Sequence, residues 1–163
     1  MLCVSGSRDA DKAKVYWRVK ERMEEYADRG INKLLSGHCN SGIDEVAEKV
    51  AADLGWTIEE HPADWEKHGK SAGPKRNAEM IKREPSAVLA FTTRNSVGTN
   101  DLIDKARKAG IEVTIIDITN YCIAKDKVKK EKKKKVGEGT DKKKATKPKE
   151  KKPKTAVVSK HVK

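Results

Sequence analysis

The chain has 163 residues, a length that suits one domain of ordinary size, and a formal net charge of +12. No apolar run approaches membrane-spanning length, and MLCVSG leads directly into a strand pattern, so neither a membrane span nor a signal peptide is expected. Three isolated cysteines without a CxxC pair suit a reducing interior, which predicts a cytoplasmic protein, or a nuclear one in a eukaryotic host.

Apolar segments with strand and helix periodicity alternate along the chain. The predicted strands are 2–6, 31–37, 57–61, 86–91 and 112–116. The predicted helices are about 9–28, 43–54, 74–83 and 99–109. The first helix carries an apolar stripe of Tyr16, Val19, Met23 and Tyr26, and Thr99 is predicted as the N-cap of the last. This alternation predicts an α/β, Rossmann-like, doubly wound parallel sheet of about five strands.

The two kinds of connection differ in length and chemistry. Helix-to-strand connections have two or three residues, whereas strand-to-helix connections are long and rich in Gly, Ser, Thr, Asn and Arg. The long ones are SGSRD (5–9), SGHCNSGID (36–44), the segment from His61 to Gly73, and TTRNSVGTN (92–100). All four are expected at the carboxyl edge of the sheet, where open α/β folds bind ligands.

These loops have the composition of a phosphate-binding site. Each leads into a helix N-terminus, which favours anions, and glycines at 6, 37, 42, 73 and 98 allow close backbone approach. Arg8, Arg76 and Arg94 supply guanidinium groups suited to phosphate. Trp65 or His68 could stack on a base, although Trp65 could equally be a lid packed on the domain. The edge therefore predicts a site for a phosphorylated sugar or nucleotide.

Other common sites are not indicated. GxGxxG and Walker A motifs are absent, which argues against a standard dehydrogenase or a P-loop NTPase. The spacing of His38, Cys39, His61 and His68 matches no common zinc site. Neither a metal nor a cofactor is predicted.

Four motifs carry a family resemblance. VSGSRD, SGHCNSGIDEVAEKVAADLG, PADWEKHGKSAGPKRNAEM and SVGTNDLIDKARKAGI together resemble the YspA-type branch of the SLOG superfamily, which includes DprA and the Lonely Guy phosphoribohydrolases. The resemblance covers about residues 2–116 and implies a Rossmannoid fold with a nucleotide-derived ligand at this edge. It implies ligand-binding roles for Gly6, Ser7, Arg8, Gly42, Asp44, Gly73, Arg76, Asn77, Gly98 and Thr99. Asp64 and Trp65 are expected to close over the ligand, and Gly37 joins the set as a loop glycine.

Catalysis is a separate question. The Lonely Guy enzymes carry a PGGxGTxxE loop whose glutamate assists cleavage of an N-glycosidic bond, but here SVGTNDLI places Leu102 at that position. Asp101 precedes it, rotated by about 100° on a helix. The remaining acid–base candidates are Asp44, Asp64 and Glu79. We therefore predict a protein that senses or sequesters a nucleotide-derived ligand, with a nucleoside-monophosphate phosphoribohydrolase as the alternative.

The C-terminal segment differs from the rest in charge. Residues 125–163 hold 18 lysines, five acidic residues and no aromatic residue, whereas residues 1–124 have a net charge of −1. We predict a domain over 1–124 and a disordered tail over 125–163. Such a tail attracts nucleic acid without reading its sequence, so a nucleic-acid-associated role is a third possibility, as is a merely solubilising or targeting tail. A homodimer is also left open.

Overall fold

The computed structural model describes residues 1–123, in which strands and helices alternate. The strands are β1 (Leu2–Gly6), β2 (Lys33–Ser36), β3 (Thr57–Glu60), β4 (Ala87–Thr92) and β5 (Glu112–Asp117). The helices are α1 (Lys12–Asp28), α2 (Gly42–Asp53), α3 (Trp65–His68), α4 (Ala72–Lys82) and α5 (Val97–Lys108), with 3-10 turns at Gly69–Ser71 and Thr119–Tyr121. The predicted order of elements is confirmed.

The five strands form one parallel sheet in the order β3-β2-β1-β4-β5. Leu2 of β1 pairs with Leu34 of β2 on one side and with Ala87 of β4 on the other, so β1 lies at the centre. The chain adds strands in one direction from β1 to β3, returns across the sheet, and adds β4 and β5 in the other direction. The predicted Rossmann-like, doubly wound α/β fold is confirmed.

The sheet separates two apolar cores. On one face, Leu2 and Val4 pack with the buried sides of α1 and α2. On the other, Cys3 and Val88 pack with α4 and α5. Because helices cover both faces, the central strands read as continuous apolar runs rather than alternating ones.

The start of α1 differs from the prediction. The helix begins at Lys12 rather than near Asp9, because the preceding residues pair with the C-terminal end of the described chain: Asp11 donates its amide to the Tyr121 carbonyl, and Ala10 forms an isolated bridge with Cys122. Val15, not Tyr16, completes the buried stripe. The Tyr16 hydroxyl instead donates to Asp53 on the surface.

The segment before β4 and the start of α5 also differ. The long connection from His61 onward contains α3 and a 3-10 turn, and α4 begins at Ala72, with Pro74 in its first turn, where a missing amide costs little. Helix α5 begins at Val97 with Ser96 as its N-cap, so Thr99 lies inside the first turn and is not the cap.

Within residues 1–123 no helix is long and apolar enough to cross a membrane. The predicted lysine-rich tail and the predicted domain boundary at residue 124 lie outside the described residues.

Candidate functional site

A cleft of about 480 Å³ opens at the carboxyl edge of the sheet, where β1 and β4 are neighbours. Three segments form most of its wall: residues 5–9 after β1, residues 93–99 after β4, and residues 119–123 after β5. Its volume falls within the range of small-molecule sites. This is the point where the sheet's winding direction reverses, the usual ligand position in open α/β folds.

Seven of the thirteen predicted binding residues line this cleft. They are Gly6, Ser7, Arg8, Asp44, Arg76, Gly98 and Thr99. The other six, which are Gly37, Gly42, Asp64, Trp65, Gly73 and Asn77, do not line it. Some of these six contact residues that line the cleft.

Helix α5 brings its N-terminus to the cleft wall. Val97, Gly98 and Thr99 line the cleft, and amides in the first turn of a helix have no partner within that helix. A Cβ atom at Gly98 would meet no atom of a neighbouring segment within 4 Å, so there is open space beside this residue. The Val97 amide donates to the Asn95 carbonyl, which leaves the amides of Gly98 and Thr99. These two amides and the positive end of the helix dipole are suited to an anion.

The other helix N-termini are less available than the sequence suggested. In α2 the Ile43 amide donates to the Ser7 carbonyl, and only Asp44 of the first turn lines the cleft. The first turns of α1 and α4 contribute no lining residue. Among the described helices, α5 therefore brings the most first-turn residues to the cleft.

The two arginines at the cleft are in different environments. Arg8 is exposed, with its guanidinium 5.3 Å from the centre of the Trp65 ring. Arg76 is largely buried: it donates from Nη1 to the Gly37 carbonyl at 2.5 Å and from Nε to Asn77 Oδ1 at 3.0 Å. Arg8 is thus free to reorient towards a ligand, whereas Arg76 holds neighbouring loops in place.

Asn77 extends the contacts of Arg76 to α5. Its Nδ2 donates to the Gly98 carbonyl at 3.1 Å and to Asp101 Oδ2 at 2.9 Å. The same Asp101 carboxylate also pairs with Lys105. Asn77 therefore fixes the open N-terminus of α5 from behind, although it does not reach the cleft itself.

Asp44 is the buried carboxyl group of the cleft. Its side chain is 5% exposed, and its Oδ2 lies 4.0 Å from Arg76 Nη1. Burial raises the pKa of Asp44 to about 6, and the Arg76 guanidinium opposes that rise. Asp44 therefore changes protonation state near neutral pH.

Three of the predicted ligand-binding glycines lie where a side chain would not fit. A Cβ at Gly6 would lie 2.5 Å from Ile43 Cγ1 and 2.6 Å from the Phe91 carbonyl oxygen. At Gly42, with φ of 67°, it would clash with the Ser7 carbonyl, and at Gly37 with the Arg76 guanidinium. These glycines bring protein segments together, and the expectation that they also let a ligand approach the backbone stays a prediction.

The long segment after β3 lies beside the cleft, not in its lining. Asp64 caps α3 by accepting from the Lys67 amide at 2.9 Å. Trp65 is about half exposed, and its ring end would lie 3.5 Å from a Cβ at Gly73. This segment reaches the cleft through the contact between Trp65 and Arg8. That Asp64 and Trp65 close over a ligand stays a prediction.

Several expected residues lie elsewhere. Arg94 is exposed and outside the cleft lining. His68 pairs with Lys75, and His61 with Glu59. Within residues 1–123, no three of His38, Cys39, His61 and His68 come together as a metal-binding group.

Sequence reasoning missed the wall formed after β5. Thr119, Cys122 and Ile123 line the cleft because the Ala10–Cys122 bridge holds this segment beside the β1 loop. The sequence-based prediction placed only strand-to-helix loops at the carboxyl edge of the sheet, yet β5 also ends at this edge. The stretch DITNYC (117–122), which begins at the last residue of β5, was the available signal. Cys39, Thr93 and Asn95, from loops that were recognised, also line the cleft.

Comparison with known proteins finds one relevant relative. The chain is 43% identical over 77 residues to the "Gene 61 protein" of Mycobacterium phage D29, a match that covers 44% of this chain and 62% of the relative. The chain thus matches less than two thirds of that protein's length. No family model and no solved structure matches the chain. The relative's name states neither a ligand nor a reaction.

The surroundings of Gly6 and Gly98 predict that replacement by alanine affects the stability of the domain differently at the two positions. Gly6→Ala should destabilise the domain by about 1–3 kcal/mol, because the added methyl overlaps Ile43 and the Phe91 carbonyl. Gly98→Ala should leave stability unchanged or raise it by up to about 1 kcal/mol, because alanine favours helix and the position is open. Urea unfolding of both variants measures the difference. Equal effects at the two positions would contradict the packing described for Gly6.

The raised pKa of Asp44 predicts that ionisation of this side chain lowers the stability of the folded domain as the pH rises. Well below pH 4 the carboxyl is protonated in both folded and unfolded chains, and between about pH 4 and 6 it is ionised mainly in the unfolded chain. The wild type should therefore lose stability relative to Asp44→Asn as the pH rises through this window. The total is about 3 kcal/mol, since a tenfold change in proton affinity corresponds to about 1.4 kcal/mol. Unfolding curves of both proteins from pH 3.5 to 7.5 test this, and a pH-independent difference would refute it.

Proposed function

We propose that this protein binds a nucleotide or nucleotide-derived phosphorylated ligand in the cleft at the β1–β4 junction, as a sensor or sequestering protein. The observation that carries the proposal is the open N-terminus of α5, which faces the same cleft as Arg8. A helix N-terminus and an exposed guanidinium are complementary to a phosphate group.

Charge indicates how such a ligand would be oriented. Phosphate fits the wall formed by 97–99 and Arg8, whereas the buried carboxyl of Asp44 would repel it when ionised. Asp44 is better suited to accept hydrogen bonds from sugar hydroxyls or a base amino group. Trp65, half exposed beside Arg8, offers a ring on which a base could stack.

The resemblance to the YspA-type SLOG domains supports the same proposal. Its VSGSRD motif supplies Ser7 and Arg8, and its SVGTND motif supplies the first turn of α5. In AGPKRN, Arg76 bonds the β2 loop at Gly37, and Asn77 bonds the second of these segments at Gly98. The motifs thus converge on one cleft and its immediate support.

The proposal predicts that Arg8→Ala weakens the binding of a phosphorylated ligand but not of the same ligand without its phosphate. Its affinity for adenosine monophosphate should fall by about 1.5–3 kcal/mol, the range for hydrogen bonds to charged groups. Isothermal titration calorimetry against wild type measures this. Adenosine, which lacks the phosphate, should bind wild type and variant equally.

Arg94→Ala is the matched control, because Arg94 is an exposed arginine on the β4–α5 loop outside the cleft lining. Its affinity should equal that of the wild type. Arg76→Ala should also weaken binding, but it removes the contacts to Gly37 and Asn77, so its folding is checked by circular dichroism. Unchanged affinity in folded Arg8→Ala and Arg76→Ala would refute the site.

The alternative is a phosphoribohydrolase, and the placement of its candidate residues disfavours it. Leu102 is fully buried in the core between the sheet and α5, so no carboxylate projects into the cleft from this position. Asp101 is already paired with Asn77 and Lys105, Asp64 caps α3, and Glu79 does not line the cleft. Asp44 alone of the four candidates lines it.

We therefore predict little or no release of adenine from adenosine monophosphate. Chromatography of a long incubation at neutral pH measures free adenine directly. Turnover of about 1 per second or more, an ordinary enzymatic rate, would reverse the ranking of binding protein over enzyme. In that event Asp44→Asn should abolish turnover, whereas Asp64→Asn should not.

A further inference from the structure

A second cluster of polar side chains lies at the same edge of the sheet, beyond the cleft, where β2 and β3 end. His38 Nδ1 lies 3.2 Å from Glu48 Oε1 and 3.5 Å from Glu60 Oε1, and the three atoms are all within 4.8 Å of one another. His38 follows β2, Glu48 lies on α2, and Glu60 ends β3. The cluster therefore joins three elements that are distant in sequence.

The negative charge in this cluster is not balanced by lysine or arginine. Within residues 1–123, neither Glu48 nor Glu60 forms a salt bridge with either residue type. The adjacent pair of His61 and Glu59 is the opposite case: Glu59 contacts both Lys33 and Arg83 at 2.6 Å. Two carboxylates around one imidazole leave a net charge of −2 when the ring is neutral, which a divalent cation would cancel.

The distances suit a small metal ion. Zinc binds histidine nitrogen and carboxylate oxygen at about 2.0–2.2 Å, so neighbouring ligand atoms in a tetrahedral site lie about 3.3–3.6 Å apart. The separations of 3.2 and 3.5 Å from His38 Nδ1 are close to that spacing, and a bound ion would replace the hydrogen bond between His38 Nδ1 and Glu48 Oε1. Glu60 is about half exposed and its carboxylate can adjust by a side-chain rotation.

A neighbouring hydroxyl supports the arrangement. Ser36 Oγ donates to Glu48 Oε1 at 2.6 Å and also accepts the amide of His38 at 3.1 Å. Ser36 is fully buried, so it fixes both the carboxylate and the start of the loop that carries the imidazole. Hydrogen bonds of this kind orient ligands in protein metal sites.

We propose that His38, Glu48 and Glu60 bind a divalent transition-metal ion, with Zn²⁺ the best match. An imidazole ligand favours zinc and its neighbours in the first transition series over Mg²⁺ and Ca²⁺, which take oxygen ligands. Three protein ligands leave the fourth tetrahedral position to water. This site is separate from the cleft and does not depend on the proposed nucleotide function.

Zinc titration of the full chain by calorimetry tests the proposal. Wild type should bind one zinc ion that is lost in His38→Asn, where asparagine is chosen because it tolerates the left-handed backbone at this position (φ of 49°). Glu60→Gln, at an exposed side chain, should weaken binding about tenfold or more without affecting folding. Co²⁺ should give visible absorption bands of a tetrahedral site in wild type only.

His61→Asn is the matched control, because His61 also contacts a glutamate but in a charge-balanced pair. It should bind zinc as the wild type does. The proposal fails if wild type binds no zinc, if folded His38→Asn and Glu60→Gln bind it as tightly as wild type, or if Mg²⁺ competes equally with zinc. Loss of binding in His61→Asn but not in His38→Asn would place the metal elsewhere and also overturn it.

Discussion

The reversal of winding between β1 and β4 is the constraint on which the site depends. Because α1 and α2 cover one face of the sheet and α4 and α5 the other, the chain diverges in opposite directions as it leaves these two neighbouring strands. A gap must open between the divergent loops at the carboxyl edge. The cleft is therefore a consequence of strand order, and the loop residues determine only its chemistry.

Arg76 fixes the positions of the segments around that gap. Its guanidinium bonds the Gly37 carbonyl and Asn77, and Asn77 in turn bonds Gly98 at the start of α5. The chain of contacts extends from the β2 loop through α4 to the helix end that we propose as the phosphate site. Gly37 has no room for a side chain because Arg76 fills the space. A buried arginine held in this way contributes geometry, while the exposed Arg8 is available to bind a ligand.

Much of the fold could be predicted from sequence because its signals are local. Continuous apolar runs such as SAVLAF indicated strands buried on both faces, and glycines after the helices indicated their ends. The roles of individual site residues depend on long-range packing and could not be predicted in this way. Arg8 and Arg76 both follow a glycine by two or three positions, yet only the tertiary structure distinguishes the exposed one from the buried one. The metal cluster was missed for the same reason, since its glutamates are 10 and 22 positions away from His38.

The most direct test of the central claim is an amide nuclear magnetic resonance titration of the full chain with adenosine monophosphate. The account predicts that the largest saturable shifts fall at Ser7, Arg8, Gly98 and Thr99, which come from the loop after β1 and the first turn of α5 and meet at the cleft. Phosphate bound only to the lysine-rich residues 125–163 would give shifts confined to that segment and would contradict the account. So would shifts confined to the surface around Trp17 on α1, away from the cleft.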